Sequence, residues 1–148
     1  MIPPIADRFV AGEDADAALG HAADLDRTGV KTILNLLGEH YENPEPAAED
    51  RDTYIDLVEQ ISETGTDVCI SIKPSQIGLD VGEDTFRENL ESIIEVADDH
   101  GVFVWVDMED YTTTDITLDA YEDFTTAYDG GVGVCLQSNL KRTRDDLE

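Results

Sequence analysis

Basic side chains are scarce in this sequence. Nine Lys and Arg stand against 35 Asp and Glu, a formal charge of -26 with histidine neutral. That balance argues against nucleic acid as a partner, because a phosphate backbone is held by a basic face. An anionic membrane surface is disfavoured for the same reason. Cysteine is almost missing: Cys69 and Cys135 each lie inside an apolar run, as expected of free, buried thiols in a reducing cytoplasm. No apolar stretch approaches the ~20 residues of a membrane span, and Met-Ile-Pro-Pro does not open a signal peptide. The expectation is a soluble, cytoplasmic protein. There is no G-x-G-x-x-G, no H-E-x-x-H and no cysteine cluster. The nearest thing to a metal site is His40 after Glu39 with Glu42 close by, in "LGEHYEN", and no metal is expected there.

The acids are spread along all 148 residues. Such a distribution suits a protein kept soluble in very high salt, where screening removes most self-repulsion. An acidic protein of ordinary salinity is the alternative. Disorder, the usual consequence of so much charge, is countered by strongly periodic apolar segments, and the length suffices for one domain with its own core.

Short apolar runs recur at Arg8–Ala11, Thr32–Leu37, Val68–Ile72, Val102–Val106 and Val132–Leu136. They are continuous rather than alternating, as strands covered on both faces should be. Between them the period becomes helical. Phe86, Leu90, Ile93, Ile94 and Ala97 fall on one helix face, with Asp84 placed to cap its start and Gly101 to stop it. Tyr54, Leu57, Val58 and Ile61 repeat the pattern before Gly65, and Ala18, Leu19, Ala22 and Leu25 do so before Gly29. Thr112 to Asp115 offer N-caps for a helix carrying Leu118, Tyr121 and Tyr128, ended by Gly130-Gly131. The order is βαβαβαβαβ, and the sheet is therefore expected to be parallel.

Unit lengths are regular: 36 residues from Leu37 to Lys73, 34 from Lys73 to Asp107 and 30 from Asp107 to Gln137. A doubly wound sheet would carry a glycine-rich phosphate loop after an early strand, which "VAGEDADAAL" does not supply. A barrel places functional polar residues at the C-terminal ends of its strands. Glu13 or Glu39, Lys73, Asp107 and Gln137 each follow an apolar run. Taken singly, any of them could merely cap a helix or pair with a neighbour; three at successive strand ends favour a shared active-site rim. Asp107, one βα unit beyond Lys73, is expected to be its ionic partner. Glu109 and Asp110 are expected to face outward, with no catalytic role.

The strings "RFVAGE", "LNLLGEH", "ISIKPSQIGL", "FVWVDMED" and "GVCLQSNLKRT", in this order, closely resemble the bacterial and archaeal proline dehydrogenases. The likeness runs from Arg8 to the last residue. It implies a TIM-type (βα)8 barrel, of which residues 1–148 would be the N-terminal part of a single domain, with about five strands. It also implies an FAD enzyme that oxidises L-proline to Δ1-pyrroline-5-carboxylate and passes electrons to a quinone. By the matching motifs, Lys73 would lie beside the substrate carboxylate and Asp107 would be the active-site acid, orienting Lys73. Met108 would contact FAD, and Gln137 would hydrogen-bond the isoalloxazine.

The chain also departs from that family. A following "VKGAY" strand, the later loops for the FAD phosphates and the paired arginines that grip the proline carboxylate are missing. An eight-stranded barrel takes about 250 residues, and the segment "LKRTRDDLE" reads as the first turns of a helix without an apolar face. The expectation is a fragment or one half of a split protein, which alone neither binds FAD tightly nor turns over proline. Two other readings stay open: a Schiff-base aldolase-like barrel with Lys73 as nucleophile, and a non-catalytic half-barrel that associates through its open edge.

Overall fold

Strands and helices alternate through residues 10–12, 14–128 and 130–147, the part that the computed structural model describes. In chain order they are α1 (Ala15–Asp26), β1 (Thr32–Leu34), α2 (Pro44–Thr64), β2 (Val68–Ile72), α3 (Glu83–His100), β3 (Val104–Asp107), α4 (Thr114–Ala127) and β4 (Val132–Cys135). Half of the expected first strand, Arg8 and Phe9, lies outside the described residues; Val10 and Ala11, which are described, are not in a strand.

Local chemistry sets the helix ends. Asp14 starts α1 by accepting from the Ala17 N–H at 2.9 Å. Pro44 opens α2 after an extended Asn43, a position where the missing N–H costs nothing. Gly65 and Gly101 end α2 and α3 with left-handed φ of 66° and 67°. Asp84 does not cap α3 as expected: the helix begins one residue earlier, at Glu83, and Asp84 sits in its first turn. There its charge still favours the positive end of the helix dipole. The segment from Ser138 to Leu147 forms turns and not a helix.

The four strands are parallel and lie in sequence order, β1-β2-β3-β4. That order has no reversal, so the sheet lacks the crevice of doubly wound folds. Each helix packs against the next, α1 on α2, α2 on α3 and α3 on α4, as in the outer layer of a barrel wall. Between helices and sheet lies the core: Leu34, Ile70, Ile72, Val104 and Val106 meet Tyr54, Val58, Phe86, Leu90, Ile93 and Ile94. Every residue expected on the apolar faces of α2 and α3 is buried. In α4 the inward face is instead Thr114, Thr117, Ala120 and Phe124, while Leu118, Tyr121 and Tyr128 are half-buried.

The opposite face of the sheet corrects one expectation. The strands are not covered on both sides: Ile33 is 56% exposed and Phe103 37%. Cys69 is only half-buried and Cys135 is exposed, so neither is the buried thiol expected. These residues alternate with the core residues and point to what would be the inside of a barrel. Ser71, Trp105 and Gly133 share one row of that face. A Cβ on Gly133 would lie 2.6 Å from the Trp105 ring, so only glycine admits the indole there. No helix among the described residues is long and apolar enough to cross a membrane.

Candidate functional site at the C-terminal rim

Because the strands are parallel and staggered by only a residue or two, their C-terminal ends open on the same side. A cavity of about 570 Å³ lies there, lined by Glu39, Lys73, Asp107, Met108, Glu109, Cys135 and Gln137 among others. Lys73, Asp107 and Gln137, singled out from sequence as strand-end residues, thus meet at one mouth. Glu39 joins them from the loop after β1; Glu13, its alternative, lies outside the described residues.

Pairing within the mouth differs from expectation. Lys73 does not pair with Asp107; its Nζ donates to Glu39 Oε2 at 3.0 Å. The Lys73 hydrogen bond and charge hold the Glu39 carboxyl below its ordinary range. Asp107 Oδ1 instead accepts from the Ser71 hydroxyl at 2.8 Å. Strand geometry explains both. Ser71 faces Trp105 in register, so its short side chain reaches the carboxylate two residues further along β3. Lys73, two residues beyond Ser71, carries its ammonium on a long stem above that level, within reach of the loop after β1. Asp107 is also in register with Cys135. Burial, and then the neighbouring Asp107 carboxylate, push the Cys135 thiol up from its usual range.

Gln137 Nε2 donates to the Met108 backbone oxygen at 2.6 Å, tying the end of β4 to the end of β3. Its side-chain Oε1 accepts no hydrogen bond from the described residues. The Met108 side chain is almost fully buried in the wall. Glu109 does not face outward as expected: it is half-buried and accepts from Ser75, from the backbone N–H at 2.7 Å and from the hydroxyl at 2.9 Å. Asp110 does face the loop, accepting from the Thr112 N–H and hydroxyl.

Behind the mouth runs a buried polar chain that sequence patterning misses. The Tyr54 hydroxyl, on α2, donates to Ser71 O at 2.9 Å and accepts from Leu36 N–H at 3.2 Å. Gln76, fully buried, donates to Asp50 Oδ2 at 2.6 Å. Gly38 is pressed against this chain: a Cβ would collide with the Tyr41 hydroxyl and lie 2.9 Å from Gln76 Nε2. The only hint in the sequence is the polar pair Ser75-Gln76 directly before apolar Ile77 in "PSQIGL". No group of three or more His, Cys, Asp or Glu among the described residues is arranged to hold a metal ion.

Comparison with known proteins agrees with this architecture. Residues 18–148 match the family model described as proline dehydrogenase. Proline dehydrogenase of Deinococcus radiodurans is 36% identical over 146 residues, covering 96% of this chain and 47% of that protein. Proline dehydrogenase 2 of Bacillus subtilis is 29% identical over 143 residues, with 97% and 47% covered. The chain therefore spans about half the length of the curated relatives it matches. In fold it is similar to proline utilization A from Bdellovibrio bacteriovorus inactivated by N-propargylglycine, with a TM-score of 0.81 at 20% identity, over 97% of this chain and 18% of that one. The four strands and the helices that cover them are thus part of a barrel wall, and the chain belongs to the proline dehydrogenase family.

Proposed function

We propose that this mouth takes part in the FAD-dependent oxidation of L-proline to Δ1-pyrroline-5-carboxylate, in proline breakdown to glutamate in the cytoplasm, with a quinone as the final electron acceptor. One observation carries the reading: Lys73, Asp107 and Gln137, the residues of the family motifs, line one cavity. In this reading the Lys73 ammonium is the docking point for the substrate carboxylate, and Glu39 holds it in place until the substrate arrives. Glu39 is mostly exposed, 60% by its side chain, so it can swing aside at little cost. Asp107, fixed by Ser71, is the acid at the substrate end. A fixed cation and a fixed carboxylate orient the pyrrolidine ring so that C5 faces away from the rim strands.

The residues fit the ring end of a flavin. Gln137 offers an amide edge whose side-chain Oε1 accepts nothing from the described residues, and Met108 adds an apolar wall. When bound, FAD supplies through N5 the acceptor for the hydride leaving proline C5. As that hydride leaves, the nitrogen lone pair forms the C=N bond and the amine proton is released. The chain's own contribution is orientation and exclusion of water.

Lys73 is one of three lysines, which makes a labelling test simple. L-Proline should protect Lys73 from acylation, read by peptide mass spectrometry, whereas pyrrolidine, lacking the carboxylate, should not. Equal labelling with and without L-proline would refute substrate docking at Lys73. Borohydride trapping of a carbonyl compound on Lys73 would support the Schiff-base alternative instead. Dye reduction by L-proline with added FAD would show that this chain suffices by itself. A second reading, association through the bare sheet face, is favoured by exposed Ile33 and Phe103. Sedimentation as a well-folded monomer would count against it.

A further inference from the structure

We propose that Glu109 is a positioning residue: with Ser75 it forms a clasp that holds the three rim loops, and so Lys73, in working register. The inference rests on the mouth being the substrate site, and assigns a role to residues to which the resemblance gives none. Three loops meet at Ser75. Its N–H and hydroxyl both donate to Glu109, at the start of the loop after β3. Its hydroxyl oxygen accepts from the His40 N–H at 3.1 Å, and its carbonyl accepts from the Tyr41 N–H at 3.2 Å, both in the loop after β1. Ser75 itself stands two residues after Lys73, and Pro74 between them stiffens the link.

A carboxylate accepting two bonds from one residue is stronger than a neutral pair and fixes direction as well as distance. Glu39 precedes His40, Lys73 lies two residues before Ser75, and Asp107 ends β3 two residues before Glu109, so each charged group of the mouth stands within two residues of the clasp. The backbone supports this independently. His40 is the one non-glycine among the described residues with positive φ, at 57°. Such a conformation is costly and persists only where surrounding bonds determine it. The His40 N–H bond to Ser75 and the ring bond to Asp80 at 2.9 Å are those bonds.

The test uses the whole chain with Glu109→Ala, Glu109→Gln and Ser75→Ala, read by amide hydrogen exchange and by the rate of Lys73 acylation at fixed alkaline pH. In Glu109→Ala the Ser75, His40 and Tyr41 amides should exchange ~10-fold faster or more, while Ile70 and Val104 in the sheet stay unchanged. Lys73 should be acylated about 2- to 5-fold faster, the range for loosening an exposed ion pair. Glu109→Gln keeps one acceptor and should fall between. A purely structural role would speed all amides together and leave Lys73 reactivity unchanged; that result, or no local change in a folded variant, overturns the proposal. Should Glu109→Ala fail to fold, Ser75→Ala decides, because it removes only the hydroxyl bonds: faster His40 exchange with faster Lys73 acylation supports the clasp, and neither overturns it. No proline is added, so failure here and failure of the substrate reading are separate outcomes.

Discussion

Replacing Tyr54 with phenylalanine removes one oxygen atom and leaves the shape of the core intact. Tyr54 has no exposed surface, and the ring keeps its packing between α2 and the sheet. What is lost is the bond to Ser71 O at 2.9 Å and the bond from Leu36 N–H at 3.2 Å, with a weaker contact to Gln76 Oε1 at 3.3 Å. Burial also pushes the Tyr54 hydroxyl well above its ordinary pKa, so it is the neutral form that makes these bonds. Each ordinary hydrogen bond contributes about 1 kcal/mol net, and a buried partner left unsatisfied adds its own desolvation cost. The Leu36 N–H is part-buried and can recover some hydration, so the total loss should be about 2 kcal/mol. With a urea slope of about 2 kcal/mol/M, the midpoint should fall by about 1 M. Urea unfolding at constant salt, followed by the fluorescence of the single tryptophan, Trp105, measures it. A midpoint shift below about 0.2 M with an unchanged slope would mean that the hydroxyl does not tie α2 to β2 and the loop after β1.

Further outcomes follow from other parts of the structure. The His40 imidazole, bonded first of all to Asp80, should titrate above its ordinary value of 6.5. Its stabilising effect is then complete below that ordinary value and is lost as pH rises through the raised one; NMR titration should show the raised midpoint, and Asp80→Asn should return it toward 6.5. A methyl group on Gly133 would collide with the Trp105 ring at 2.6 Å, so Gly133→Ala should cost about 1–3 kcal/mol and alter the tryptophan emission; an unchanged spectrum and stability would refute the close approach. With a net charge of -26, thermal stability should rise steadily between dilute and molar sodium chloride as repulsion is screened. A flat response would contradict adaptation to high salt.

Much of the fold was legible because burial on a helix has a period the sequence displays. Phe86, Leu90, Ile93, Ile94 and Ala97 could hardly be read otherwise, and all face the core. α4 was harder, since Thr114, Thr117 and Ala120 are buried although small or polar, and the larger Leu118 and Tyr121 mislead. The strands looked doubly covered because both faces are apolar, but apolarity does not say that a cover is present: Ile33 and Phe103 are exposed. At the mouth, position in the chain brought Lys73, Asp107 and Gln137 together, since parallel strands put their ends on one side. Partner choice was not legible. Whether Lys73 meets Asp107 or Glu39 depends on side-chain length against strand stagger, and the double bond from Ser75 to Glu109 depends on the fold of a loop that carries no periodic signal.

The ends of neighbouring strands share one rim, and a covalent ruler can read that directly. Zero-length carbodiimide coupling joins an amine to a carboxylate only in contact, and peptide mass spectrometry identifies the pair. Lys31, ion-paired with Asp67 away from the mouth, serves as the internal control. The account predicts Lys73 coupled to Glu39, across 34 residues of sequence. Coupling of Lys31 to Asp67 with Lys73 joined to no acid of the rim would contradict it.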